Sequence, residues 1–313
     1  MKRKILKALF IAVSVPLILV LCWFGNAFFG NPLSYFLATR TAQTHLVTTY
    51  PGTDFYIERV GYDFKISGYY AHIKSPSSAD TYFSVYISML GKVEGDTYSS
   101  VVKGFNTARR LNEEYRALTD RVFHDPAFPY NCFISFGELE IHSDEAFQDP
   151  YVRNVPFYAF NQKDLILDKS YNIPEMGKQA GRLYIYVDSD VVTVERAAQI
   201  MLDIKEYFDQ AGVPFRSMDF TLQYPFPDEG LRPDGSVTVL RFLYEDIYAD
   251  ELAVRVDRAH KKATAYYEKM DALRTKYTYA ESTLPGAGVT EGVDPTAPSS
   301  GLVFYSNGDG TCY

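Results

Sequence analysis

The stretch Tyr82-Phe83-Ser84-Val85-Tyr86-Ile87-Ser88-Met89 alternates position by position between core-type and surface-type side chains. Successive side chains of a strand point to opposite faces, so Phe83, Val85, Ile87 and Met89 share one side and Tyr82, Ser84, Tyr86 and Ser88 the other. This is how a strand reads when its sheet has one buried face and one solvated face. Upstream, Phe55 to Val60 and Tyr69 to Lys74 are rich in β-branched and aromatic residues. Gly68 and Ser75-Pro76-Ser77 punctuate them, which gives three consecutive strands.

Helical signals bracket these strands. Asn31-Pro32 reads as an N-cap followed by proline at the first helical position. Leu33, Phe36, Leu37, Leu46 and Tyr50 fall near helical spacing before Pro51-Gly52 ends the helix. From Tyr98 to Phe123 the period is helical again, with Val102, Phe105, Leu111, Tyr115, Leu118 and Val122 on one stripe. A strand over Phe133 to Ile141 is expected to complete the first sheet, and Pro150 to Pro156 resembles a hinge. In the second half, Leu183 to Val187, Phe215 to Tyr224 and Ser236 to Tyr244 read as strands. Thr193 caps a helix that ends at Gly212, and a long helix from about Asp246 to Tyr277 closes the unit. The expected fold is therefore α+β, two small domains over 31–150 and 151–279 with helices covering antiparallel sheets. From Ala280 on, proline and glycine dominate and a disordered tail, 280–313, is expected.

Ahead of this, Ala8 to Phe29 is uncharged and mostly apolar, preceded by Lys2, Arg3, Lys4 and Lys7 and followed by no charge until Arg40. At 1.5 Å per residue such a helix covers roughly 33 Å, enough for a hydrocarbon core of about 30 Å. The basic flank predicts a single transmembrane anchor over 1–30, with the N-terminus cytoplasmic and the remainder extracytoplasmic at the cell membrane. Cleavage as an export signal at Gly25-Asn26-Ala27 is the alternative. Beyond residue 30 the chain has 27 basic and 39 acidic residues, a net charge of about −12 that opposes binding to nucleic acid or to an anionic bilayer surface. Only three cysteines occur, so stability is expected from the core and not from a disulfide framework.

Several segments carry a resemblance. Asn31-Pro32, Val60-Gly61-Tyr62-Asp63-Phe64, Tyr70 with Ile73-Lys74-Ser75-Pro76, Ala211-Gly212-Val213-Pro214 and Asp246-Ile247-Tyr248 look like the YfjL-like proteins of Gram-positive bacteria. The resemblance spans about residues 30 to 277. It implies a single-pass anchored protein with two α+β domains and brings no activity with it.

No motif of a nucleotide, metal or nucleophile site stands out. Glu138, Glu140 and His142, with Asp144, share strand parity and are metal-ligand types, against the plainer reading of a solvated strand face. Asp188-Ser189-Asp190 with Glu195 lacks the glycine and ligand spacing of a calcium loop and reads as acids complementing a helix N-terminus. The five histidines, at 45, 72, 124, 142 and 260, are dispersed, and Cys132 sits among aromatics as a small hydrophobe. Leu252, Val256, Ala259, Ala263, Tyr266, Met270, Leu273 and Tyr277 repeat at fours and threes, either as in-chain packing or as a surface for an envelope partner or a second copy. Tyr70, Tyr82 and Tyr86 lie on the outward parity of their strands, where rings could stack on a sugar or peptide.

The sequence thus predicts a membrane-anchored protein that binds, senses or assists at the cell envelope, with no cofactor, and that is not an enzyme. Two alternatives stay open. One is a regulator of an envelope peptidase, similar in outline to PepSY modules. The other is a cell-envelope hydrolase whose site is assembled only by the fold.

Overall fold

The computed structural model describes residues 30–148, 155–227, 233 and 235–282, together with Ser14, Pro16, Leu17, Phe24 and Gly25. The chain divides into two compact units, one of residues 1–114 with 161–172, the other of 115–160 with 173–313. This differs from the division expected near residue 150, and most of the expected hinge lies outside the described residues.

In the first unit, helix α1 (Pro32–Thr49) begins where the cap and proline predict, the Asn31 side chain accepting the Ser34 N–H at 2.8 Å. An antiparallel meander follows: β1 (Tyr56–Asp63), β2 (Gly68–Ser75), β3 (Ser78–Ser88) and β4 (Val93–Asp96), in spatial order β1-β2-β3-β4. The alternation read in β3 is obeyed: Phe83, Val85 and Ile87 are buried with Tyr69, Ala71 and Ile73 of β2 against α1. The helix itself presents an unexpected face. Ser34, Ala38, Ala42 and Leu46 are buried, whereas Leu33, Phe36 and Leu37 are exposed. Small residues at i, i+4 and i+8 let the helix axis come close to the sheet, and the large neighbours are left outside.

The helix predicted over Tyr98–Phe123 is two, α2 (Tyr98–Val102) and α3 (Phe105–Phe123). Gly104 separates them at φ +75, where a Cβ would also stand 2.9 Å from the Gln162 carbonyl oxygen, so no larger residue fits without strain. Asp80, fully buried, ties the unit together. Its carboxylate accepts from Arg110 Nε at 2.7 Å, Thr107 Oγ1 at 2.9 Å and the Asp168 N–H at 2.9 Å, linking β3, α3 and the 161–172 segment.

In the second unit, β5 (Cys132–Leu139) pairs with β8 (Gly181–Asp188), so the strand expected to complete the first sheet belongs to the second. The short segments β6 (Ile141–His142), α4 (Asp144–Gln148) and β7 (Phe160–Asn161) follow β5, and α5 (Ile173–Ala180) precedes β8. Pro174 and Gly177 give α5 a low intrinsic helix propensity, so its sequence carries no clear helical signal. Helix α6 (Val194–Ala211) is capped by Thr193 and stopped by left-handed Gly212, as predicted. Next come β9 (Ser217–Gln223), β10 (Ser236–Leu243) and α7 (Leu252–Ser282).

The order β10-β9-β8-β5 is a mixed sheet, because β8 and β9 run parallel, which corrects the expectation of an antiparallel one. The cause is α6: a helix between two strands returns the chain to the starting end, so the next strand runs the same way. Leu183, Ile185 and Val187 of β8, Met218, Phe220 and Leu222 of β9, and Ala197, Met201, Ile204 and Phe208 of α6 make the core. Helix α7 flanks the β10 edge, where the Thr238 N–H donates to His260 Nδ1 at 3.1 Å.

The fold class needs a further correction. Among the described residues no helix is long and apolar enough to cross a membrane, so the transmembrane helix is withdrawn from the architecture. Nearly all of Ala8–Phe29, like the tail beyond Ser282, lies outside the described residues.

Candidate functional site

The meander of the first unit covers one face with α1 and turns the other outward. Across that outward face runs one rung of four directly paired residues, Gly61–Tyr70–Tyr86–Gly95. Tyr70 lies across Gly61, where a Cβ would stand 2.5 Å from the ring, so glycine there lets the tyrosine lie flat on the backbone. Gly95 has open space above it, which leaves the ring of Tyr86, 37% exposed, with an uncovered flank. The Arg59 guanidinium stands 6.0 Å from the centre of the Tyr70 ring.

The next rungs carry the polar groups, Arg59–His72–Ser84 and Tyr56–Lys74–Tyr82. Glu58, on a bulge of β1, pairs with Lys74 Nζ at 2.5 Å and approaches His72 Nε2 at 3.6 Å. The Lys74 hydrogen bond holds the Glu58 carboxyl below its ordinary range. Burial pulls His72 below the usual imidazole value, only partly offset by Glu58, which favours the neutral ring. Burial also raises the Tyr82 phenol, leaving it a hydrogen-bond donor. The face thus offers aromatic rings for stacking beside donors and acceptors fixed by their strands, a surface suited to a flat or cyclic polar ligand.

Tyr70 and Tyr86 therefore pair directly, and Tyr82 lies on the same face two rungs away, opposite Lys74. Leu252 and Val256 do not join a partner surface. Both are buried in the second unit's core, because the first turns of α7 spend their apolar stripe on the chain's own sheet and α6. Of the stripe's outer members, Tyr266 is exposed and meets Tyr267 edge-on at 5.7 Å.

Glu138, Glu140 and His142 do not form a metal site. Among the described residues no group of three or more His, Cys, Asp or Glu could hold a metal ion. Glu140 is instead saturated by partners within the chain: Arg182 Nη1 at 3.0 Å, Arg241 Nε at 2.9 Å and His142 Nε2 at 2.6 Å. Burial by itself would raise the Glu140 carboxyl, but the His142 hydrogen bond and the two guanidiniums hold it down to about 2. Arg182 also binds Asp219, and its guanidinium stacks on Tyr184, which stacks on Phe136 under Arg116. Glu138 lies outside this ionic set, its carboxyl raised by burial.

Sequence reasoning missed Arg182, Asp219 and Arg241. Arg182 and Asp219 interrupt apolar strands at outward parity with opposite charge, a signal that was available. Arg241 reaches Glu140 across 101 residues and left none.

A shallow groove of about 390 Å³ beside α1 is lined by Leu37, Arg40, Thr41, Thr44, His45, Thr48 and Val93. Within it His45 Nε2 meets Asp96 Oδ2 at 2.9 Å, and the same oxygen accepts the Tyr50 hydroxyl at 2.8 Å. The carboxylate so fastens β4 to α1.

A meander under one helix, followed by a mixed sheet flanked by two, is the architecture of a two-unit α+β protein. Family models match each half: the YfjL-like N-terminal domain over residues 4–97 and the YfjL-like C-terminal domain over residues 114–257. The chain belongs to the YfjL-like family. No curated protein and no solved structure matches it.

Proposed function

We propose that this protein acts by recognition and not by catalysis, as a binding, sensing or accessory protein whose recognition surface is the outward face of the first sheet. The observation that carries this reading is the glycine-flanked tyrosine rung Gly61–Tyr70–Tyr86–Gly95. An exposed ring, Tyr86, pairs with the half-buried ring of Tyr70 on a rigid element, with charged and hydroxyl groups one rung away. Such a face favours the ring of a sugar or the flat amide of a peptide, since stacking rewards planar apolar faces and the adjacent rungs supply directional hydrogen bonds.

The test is a titration of the full chain with soluble glycan oligomers and with cell-wall stem peptides, followed through tyrosine ring NMR signals. Ring shifts at Tyr70 and Tyr86 are expected, and Tyr86→Ala should weaken binding by about fivefold to tenfold, the worth of one stacked ring. Ring signals that stay in place at millimolar ligand of both kinds would end the proposal.

A further inference from the structure

Strand β1 is one edge of the first sheet, and the register assigns the direction of its backbone groups. The Ser88 N–H donates to the Lys92 carbonyl at 2.8 Å and the Thr97 N–H to the Ser84 carbonyl at 2.9 Å, so Ser84 and Ser88 turn their backbone groups toward β4. That direction alternates along each strand. Carried through β2, it turns Arg59, Gly61 and Asp63 toward β2 and Val60 away from the sheet. The side chain of Val60 packs on the core, which leaves Arg59, Gly61 and Asp63 on the outward face in the order positive, bare, negative. Among the described residues neither Arg59 nor Asp63 forms an ion pair within the chain. Lys74 takes Glu58, the carboxylate next to Arg59, and Asp63 Oδ1 accepts the Lys65 N–H at 2.9 Å. The edges of the second sheet are treated differently: β10 gives the Thr238 N–H to His260, and β5 gives the Gly137 N–H to Thr119 Oγ1 at 3.0 Å.

We propose that β1 is the interface of a homodimer, pairing antiparallel with β1 of a second copy about a two-fold axis through Gly61. In that register Gly61 meets Gly61 of the second copy, and Arg59 stands opposite Asp63 of the second copy, once on each side of the axis. Directly opposed residues of an antiparallel pair have Cβ atoms about 5 Å apart, within reach of a salt bridge. The charges select a second copy over another extended segment. Opposite charges four residues apart complement themselves when the strand is reversed, whereas a foreign strand meets them with charges of arbitrary sign. The bulge at Glu58 confines regular pairing to Arg59–Asp63, and any slip of register loses both ion pairs. Such a contact is small, so the dimer is reversible. It goes beyond the recognition reading and does not require it. Where that reading holds, the dimer sets two Tyr70 residues about 14 Å apart on one face, with only the two Gly61 residues between them on that rung.

The test is sedimentation equilibrium of the full chain from tens to hundreds of micromolar, where a small interface is populated. Arg59→Asp sets two carboxylates against each other at both pairs, and Asp63→Arg sets two guanidiniums. Each variant should associate at least about tenfold more weakly than wild type. An equimolar mixture of the two variants restores both attractive pairs and should return association to the wild-type level, which separates a lost interface from a lost fold. Crosslinking reads the register. With Cys22→Ser, Cys132→Ala and Cys312→Ser in place, Arg59→Cys mixed with Asp63→Cys should form a disulfide between chains. Either alone should not, because its two thiols lie about 14 Å apart. A wild type that stays monomeric across the range, single variants that associate as wild type does, or a variant mixture without rescue would overturn the proposal. So would crosslinking by one cysteine alone to the extent seen in the mixture.

Discussion

Replacing Glu140 by glutamine should remove the keystone of the second unit's ionic cluster. The carboxylate is 6% exposed, neutralises two guanidiniums and hydrogen-bonds the His142 ring, all at 2.6–3.0 Å, and glutamine keeps the volume while deleting the charge. Its carboxyl sits at about 2 against an ordinary value of 4.5. That separation is worth about 3 kcal/mol of folding stability at pH 7, in line with the 3–5 kcal/mol typical of breaking a buried ion pair. For a unit of this size the loss corresponds to roughly 6–12 °C in Tm.

The sign of the pH dependence follows from the depressed value. The stabilisation is fully present above the unfolded carboxyl's value of 4.5 and is lost as pH falls toward about 2, with roughly half gone near pH 3. Thermal unfolding of both proteins by near-ultraviolet circular dichroism, from pH 7 down to 3, therefore makes two demands. The wild type should lead by several degrees at pH 7, and the gap should narrow on acidification. A variant whose Tm stays within about 2 °C of wild type at pH 7, or a gap that does not depend on pH, would refute the reasoning.

Asp80→Ala in the first unit should cost about 3–5 kcal/mol, since Arg110 would be left without its buried carboxylate. Limited trypsin digestion should then cut faster at Lys163 and Lys169, whose segment is held through the Asp168 N–H. Cys132 should resist iodoacetamide at pH 8 in the native protein, because burial, followed by the nearby Asp188 charge, pushes its thiol up to about 12. Mass mapping before and after urea checks this, and native-state alkylation at Cys132 would contradict it.

Features set by near neighbours in the chain were legible. The Asn31 cap, the alternation of β3, the Thr193 cap and the Gly212 stop depend on contacts within a few residues, so local stereochemistry decides them. The outward parity of Tyr70, Tyr82 and Tyr86 likewise follows from the period of two. Even where the period was right, the choice of face was not always recoverable. In α1 both the large stripe and the small one fit a helix, and the demand for close approach to the sheet chose Ser34, Ala38 and Ala42.

The ionic ties show the other side of this division. Glu140 meets Arg182 and Arg241 across 42 and 101 residues, and Gly61 faces Gly95 through two intervening strands. No periodicity within a segment encodes such pairings. The longer strands and the capped helices were written in local spacing, because short-range sterics and hydrogen bonding act along the backbone, whereas α5 and the short β4, β6, α4 and β7 were not. Which sheet β5 joined, the parallel run of β8 beside β9, the loss of Leu252 and Val256 to the core and the cations that claimed Glu140 all awaited folding. Burial and charge neutralisation act between residues distant in sequence, and only packing in three dimensions brings those residues within range.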